Sequence, residues 1–79
     1  MQQLNQLILD ENNIAFNPMM GNSYQLNEIS RDIVVLLRKG KTKDEILKEL
    51  CEVYDVDENQ LFIDLSDFIS KLSIYGLIQ

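Results

Sequence analysis

Few side chains in this sequence are equipped for chemistry. Cys51 is the only cysteine, and there is no histidine. A thiol becomes a nucleophile when a base or cation lowers its pKa, and nothing basic is placed to do so here. Cys51 therefore reads as a structural thiol. A single cysteine forms no internal disulfide and no cysteine-rich zinc site. The missing histidine removes the commonest general base and metal ligand. Asp55, Asp57 and Glu58 bring three carboxylates together. Calcium takes such oxygen ligands, but no loop with a central glycine surrounds these, and helix capping is the expected role. No glycine-rich phosphate loop occurs. The expectation is no catalytic residue, no metal and no cofactor.

The charge balance points the same way. Thirteen acidic residues against seven basic give a net charge of -6. Nonspecific nucleic-acid binding needs the opposite sign, to displace counterions from phosphates. Arg38, Lys39, Lys41 and Lys43 cluster around Gly40. They complement a helix C-terminus or contact an acidic partner. At 79 residues and 46% hydrophobic, the chain is expected to fold as one domain, 1–79, rather than stay disordered. No apolar run approaches the ~18 residues of a membrane span. Met1 to Gln6 lacks the basic start and apolar stretch of a signal peptide. A reduced, cytoplasmic protein without nucleic-acid or membrane partners is expected.

The elements that would position a site change character near residue 27. Strands fit Gln6–Asp10, Ile14–Asn17 and Ser23–Leu26. Glu11-Asn12-Asn13 is a turn of hairpin length whose asparagines tolerate positive φ. Pro18 to Asn22 is a second connection, with Gly21 permitting unusual dihedrals. A three-stranded antiparallel meander follows, and it needs a helix over one face. The first helix runs from the cap Asn27 to Lys39, with Gly40 at the C-terminal glycine position. Ile29, Ile33, Leu36 and Leu37 form its stripe. The second helix, 42–54, opens with the capping box Thr42-Lys43-Asp44-Glu45 and turns Ile46, Leu47, Leu50, Val53 and Tyr54 inward. The third runs from about Asp57 to Tyr75 and stops at Gly76. Leu77 and Ile78 then fold back onto the core.

The third helix carries two apolar faces. With Leu61 at zero and about 100° per residue, Leu61, Leu65, Phe68 and Leu72 form the core stripe. Gln60, Asp64, Asp67 and Lys71 fall on the solvent side. The remaining shoulder holds Asn59, Phe62, Ile63, Ser66, Ile69, Ser70 and Ser73, and it carries no charge. Either it packs on the strands or first helix, or it is a partly exposed binding surface. The third strand is the edge of the meander. Ser23-Tyr24-Gln25-Leu26 has neither charge nor proline, so its unpaired backbone groups are unguarded against another strand. An unguarded edge beside an apolar helix face suits capture of an extended peptide.

Five stretches then fall into a known order: Tyr24-Gln25-Leu26-Asn27, Gly40-Lys41-Thr42-Lys43-Asp44-Glu45-Ile46, Tyr54-Asp55-Val56-Asp57, Asp64-Leu65 with Phe68, and Leu72-Ser73-Ile74-Tyr75-Gly76-Leu77-Ile78. In that order and spacing, over about residues 7–78, the sequence resembles the PqqD family, also called the RiPP precursor recognition element. The resemblance implies an α+β, winged helix-turn-helix-like fold of three antiparallel strands followed by three helices. It implies a non-catalytic module that binds the leader peptide of a ribosomally made precursor by strand addition. The leader is then presented to a maturation enzyme: a radical SAM protein, a cyclodehydratase or a leader protease. Carried onto this chain, the peptide-binding residues are Ser23, Tyr24, Gln25 and Leu26 on the strand. On the helix they are Phe62, Ile63, Ser66, Ile69, Ser70 and Ser73. The rival reading is a small winged-helix regulator of DNA or a protein, although Glu58, Asp64 and Asp67 on the third helix oppose DNA. A piece of a larger enzyme is a third reading. The open edge also permits a homodimer.

Overall fold

The computed structural model describes residues 3–78. A short 3₁₀ turn, Gln3–Gln6, precedes β1 (Ile8–Leu9), β2 (Ile14–Asn17) and β3 (Asn22–Gln25). Three helices follow: α1 (Glu28–Arg38), α2 (Lys43–Val53) and α3 (Glu58–Ile74). The strands form an antiparallel sheet in the order β1-β2-β3. The fold class is therefore as the sequence implies, three strands and then three helices.

The first strand is shorter than expected. Leu4 and Leu7 are both buried, and Leu7 N–H donates to the Leu4 carbonyl at 3.2 Å. A 3₁₀ turn puts residues three apart on one side, whereas a strand would point them oppositely. Burial of both leucines thus confines β1 to two residues. The next turn is organised by Asp10, whose Oδ1 accepts from the backbone N–H groups of Asn12 and Ile14, each at 2.9 Å. Asn13 takes up positive φ there, at 62°. At the far end of β2, Asn17 is buried and its Oδ1 accepts from Met19 N–H at 3.0 Å.

The helix ends are set locally. Asn27 Oδ1 accepts from Ser30 N–H at 2.7 Å, and Asp57 Oδ2 accepts from Gln60 N–H at 3.1 Å. Thr42 and Glu45 form the reciprocal capping box. α1 and α3 end alike. Gly40 donates to Leu37 while Lys41 donates to Leu36, and Gly76 donates to Ser73 while Leu77 donates to Leu72. Both glycines sit at positive φ, as this cap requires.

The interior has two lobes. Leu4, Leu7, Ala15, Leu26, Val34, Leu72 and Leu77 pack between sheet and helices. Ile33, Leu36, Ile46, Leu50, Leu61 and Leu65 pack among the helices. Leu37 and Phe68 touch both. Leu77 is fully buried and its carbonyl accepts from Leu4 N–H at 3.0 Å, so the C-terminal tail closes over the core. Val53 departs from expectation and is 68% exposed. It ends α2 beside Asp32 and Val35 of α1, and the next residue, Tyr54, makes the inter-helix contact instead by donating its hydroxyl to Asp32.

Candidate peptide-binding groove

The register shows which backbone groups of β3 are free. Ala15 pairs with Tyr24 and Phe16 with Ser23, and Leu26 N–H donates to the Asn13 carbonyl at 2.8 Å. In an antiparallel ladder, hydrogen-bonded and non-bonded pairs alternate. The groups of Asn22, Tyr24 and Leu26 are thereby turned toward β2. Those of Ser23 and Gln25 are turned outward, to the edge where the sheet ends. β3 runs Asn22–Gln25, one residue earlier than the sequence suggested. Leu26 leaves the strand as its side chain turns into the core.

On the inner side of β3, the Tyr24 ring stacks on Tyr75, with centroids 4.9 Å apart and planes at 22°. This contact ties the edge strand to the C-terminal end of α3. One residue past Leu26, the start of α1 faces α3 across a cleft of about 320 Å³. Asn27, Ile29, Ser30 and Ile33 line one wall, and Leu61, Gln60, Asp64 and Phe68 the other. Val56 and Asp57 close the end.

This arrangement fixes which shoulder of α3 faces the strand. Phe68, Asp64 and Tyr75 lie on one flank of the Leu61–Leu65–Leu72 stripe, toward β3 and the start of α1. Phe62 and Ile69 lie on the other flank. Phe62 is 45% exposed beneath the Lys43 ammonium, 4.4 Å from its ring centroid, at the start of α2. Ile69 packs into the helix-helix lobe, and Ser66 is half-buried. Ile63, Ser70 and Ser73 are exposed. The structure thus brings Ser23 to Leu26 together with Phe68, Tyr75 and the cleft. It sets Phe62, Ile63, Ser66, Ile69, Ser70 and Ser73 apart from β3, on the α2 side and outer side of α3. The signal for the facing flank lay in Phe68 and Tyr75, aromatics seven apart and so on one side of the helix.

Among the described residues, Tyr54 is the one strongly shifted acid, pushed up to about 12. Its hydrogen bond to the Asp32 carboxylate favours the protonated phenol, and burial adds to the effect. Glu45 is held below the usual carboxylate range by the Thr42 backbone N–H and hydroxyl of the capping box. Both groups fasten helix ends. Cys51 is a half-buried free thiol on α2. Among the described residues, no three acidic, cysteine or histidine side chains are grouped to hold a metal. No described helix is long and apolar enough to cross a membrane. Of the basic cluster, Arg38 donates to the Asn5 carbonyl at 3.3 Å and Lys43 covers Phe62, so two of its four members fasten the fold.

Comparison with known proteins gives consistent results. Residues 6–78 match the family described as Coenzyme PQQ synthesis protein D (PqqD). The solved structure of TbiB1 in complex with the TbiA(beta) leader peptide superposes with a TM-score of 0.82 at 24% identity, covering 100% of this chain and 95% of that one. Lasso peptide synthetase B1, complexed with the leader peptide, gives 0.79 at 19% identity, covering 92% and 87%. At these identities the likeness establishes the shared fold. No curated protein matches the sequence.

Proposed function

The chain belongs to the PqqD family, and on that premise we propose that it is a peptide-binding module that captures the leader of a ribosomally made precursor and presents it to a maturation enzyme. The observation that carries the proposal is the edge of β3. The outward N–H and C=O groups of Ser23 and Gln25 are unpaired in a strand with no charge and no proline, beside an apolar cleft. An added strand satisfies those groups, and its inward side chains reach Tyr24, Tyr75 and Phe68. Two solved proteins of the same fold were determined with leader peptides, which supports the reading. The module itself performs no catalysis, works in the cytoplasm and passes its cargo to a radical SAM protein, a cyclodehydratase or a leader protease.

The strand partner is Ser23 to Leu26. On the helix, the wall is the flank of Phe68 and Tyr75. The rival DNA-binding reading is not favoured, because the described surface of α3 exposes Glu58, Asp64 and Asp67.

An amide NMR titration tests the proposal, with the leader half of each precursor encoded beside the gene. Large shifts at the Ser23 and Gln25 amides, with smaller ones along α3 near Phe68 and Tyr75, are expected. Silence toward every such leader, together with salt-sensitive shifts on adding duplex DNA, would overturn it.

A further inference from the structure

The cleft beyond β3 has a chemistry of its own. Its floor is apolar, formed by Ile29, Ile33, Leu61 and Phe68. At about 320 Å³ it lies at the small end of ligand pockets, room for a large side chain rather than a cofactor. The charged groups that line it are both acidic, Asp57 and Asp64. Gln60 holds one oxygen of each: its N–H donates to Asp57 Oδ2 at 3.1 Å, and its Nε2 to Asp64 Oδ1 at 3.0 Å. The second oxygen of each carboxylate remains to accept from a ligand.

The nearby cations are directed elsewhere. Arg31, on α1, donates to the Asp10 carbonyl and to Asn13 Oδ1, toward the β1–β2 turn. Lys43 sits over Phe62 on the α2 side of α3. Lys71 lies seven residues beyond Asp64, about 10 Å along the helix. The cleft is therefore an apolar pocket with an acidic rim.

Its position relative to the edge identifies the occupant. Asn27, on the rim, is two residues past Gln25, the last residue of β3, a span of about 7 Å. A peptide strand paired along β3 reaches the cleft within two of its own residues. Resting on the peptide-binding reading above, we infer that the cleft is a specificity pocket that takes one large apolar side chain of the captured peptide, with an adjacent lysine or arginine on Asp57 and Asp64. The captured segment is thus apolar and basic. Charge complementarity selects it against the acidic segments that a chain of net charge -6 repels.

The test is selection of a random dodecapeptide display library on the full chain, followed by affinity measurement on the wild type and on Asp57→Asn/Asp64→Asn. Asparagine caps a helix as well as aspartate, and an amide oxygen still faces Gln60, so the double variant keeps its fold. Enriched peptides are expected to carry lysine or arginine within two positions of an aromatic or branched aliphatic residue. Their affinity should fall roughly tenfold in the double variant, about three- to fivefold for each exposed pair lost, and the difference should shrink in high salt. Their amide shifts should include Ser30, Leu61 and Phe68. Enrichment of neutral or acidic peptides that bind both forms alike would overturn the pocket and leave peptide capture standing. The same holds for basic peptides whose shifts avoid the cleft. Failure to enrich any peptide would overturn the pocket, while peptide capture is judged by the leader titration above.

Discussion

Ser23→Pro isolates the backbone edge from every side chain around it. The Ser23 N–H is turned outward, since Tyr24 and Leu26 carry the bonds to β2. Proline removes that donor without removing a ladder bond, and edge strands tolerate it. The fold should survive, with a melting temperature close to that of the wild type. An incoming strand loses one N–H···O bond, a net contribution of about 1 kcal/mol, or roughly fivefold in Kd. The ring also crowds the approaching backbone, so fivefold is the lower bound. Ser23→Ala removes only the hydroxyl and should bind within about twofold of the wild type. Fluorescence anisotropy with a labelled leader peptide reads all three proteins. A folded Ser23→Pro protein that binds as tightly as the wild type would refute strand addition at this edge, whatever else the leader touches.

Three further outcomes follow from the helix ends and their acids. Thr42→Ala breaks the capping box of α2 and should cost about 1 kcal/mol, a drop of roughly 4–8 °C in Tm by thermal denaturation. Tyr54, raised to about 12 by its bond to Asp32, supports the fold fully below its ordinary pKa near 10. Above that value the unfolded chain releases its phenolic proton first, so stability should fall between pH 10 and about 12. Denaturant midpoints across that range should fall less steeply for Tyr54→Phe, and identical slopes would exclude the linkage. Gly76→Ala forces an L-residue to a φ of 77° where its Cβ meets nothing within 4 Å. Its cost, about 1–2 kcal/mol in chemical denaturation, would be backbone strain alone.

Much of the fold was legible because its signals are local. Asn27, Thr42 and Asp57 cap the helices, and Gly40 and Gly76 end two of them, because the required groups lie within five residues of one another. The order of strands and helices follows from the same punctuation. The 3₁₀ turn at Gln3–Gln6 was missed because a run such as Leu7-Ile8-Leu9 reads as a strand until the burial of Leu4 with Leu7 is known. Val53 was misplaced for a related reason: it lies beside Asp32 and Val35 of α1 yet stays exposed, because the contact with Asp32 is made by the next residue, Tyr54.

The groove divides along the same line. That β3 is an unguarded edge could be read from composition and strand order, since neither depends on distant contacts. Periodicity also located the core stripe of α3 and showed that it has two shoulders. It could not tell which shoulder meets the strand, because a wheel fixes angles about one axis and says nothing of where other elements lie around it. The Tyr24–Tyr75 stack and the Lys43–Phe62 contact decide that, one on each flank of the stripe. The sequence by itself determined that there is an edge strand and an amphipathic helix with apolar shoulders. Only the tertiary packing of α1 and α2 against α3 decided which flank faces β3, and brought Asp57 and Asp64 to the rim of the cleft.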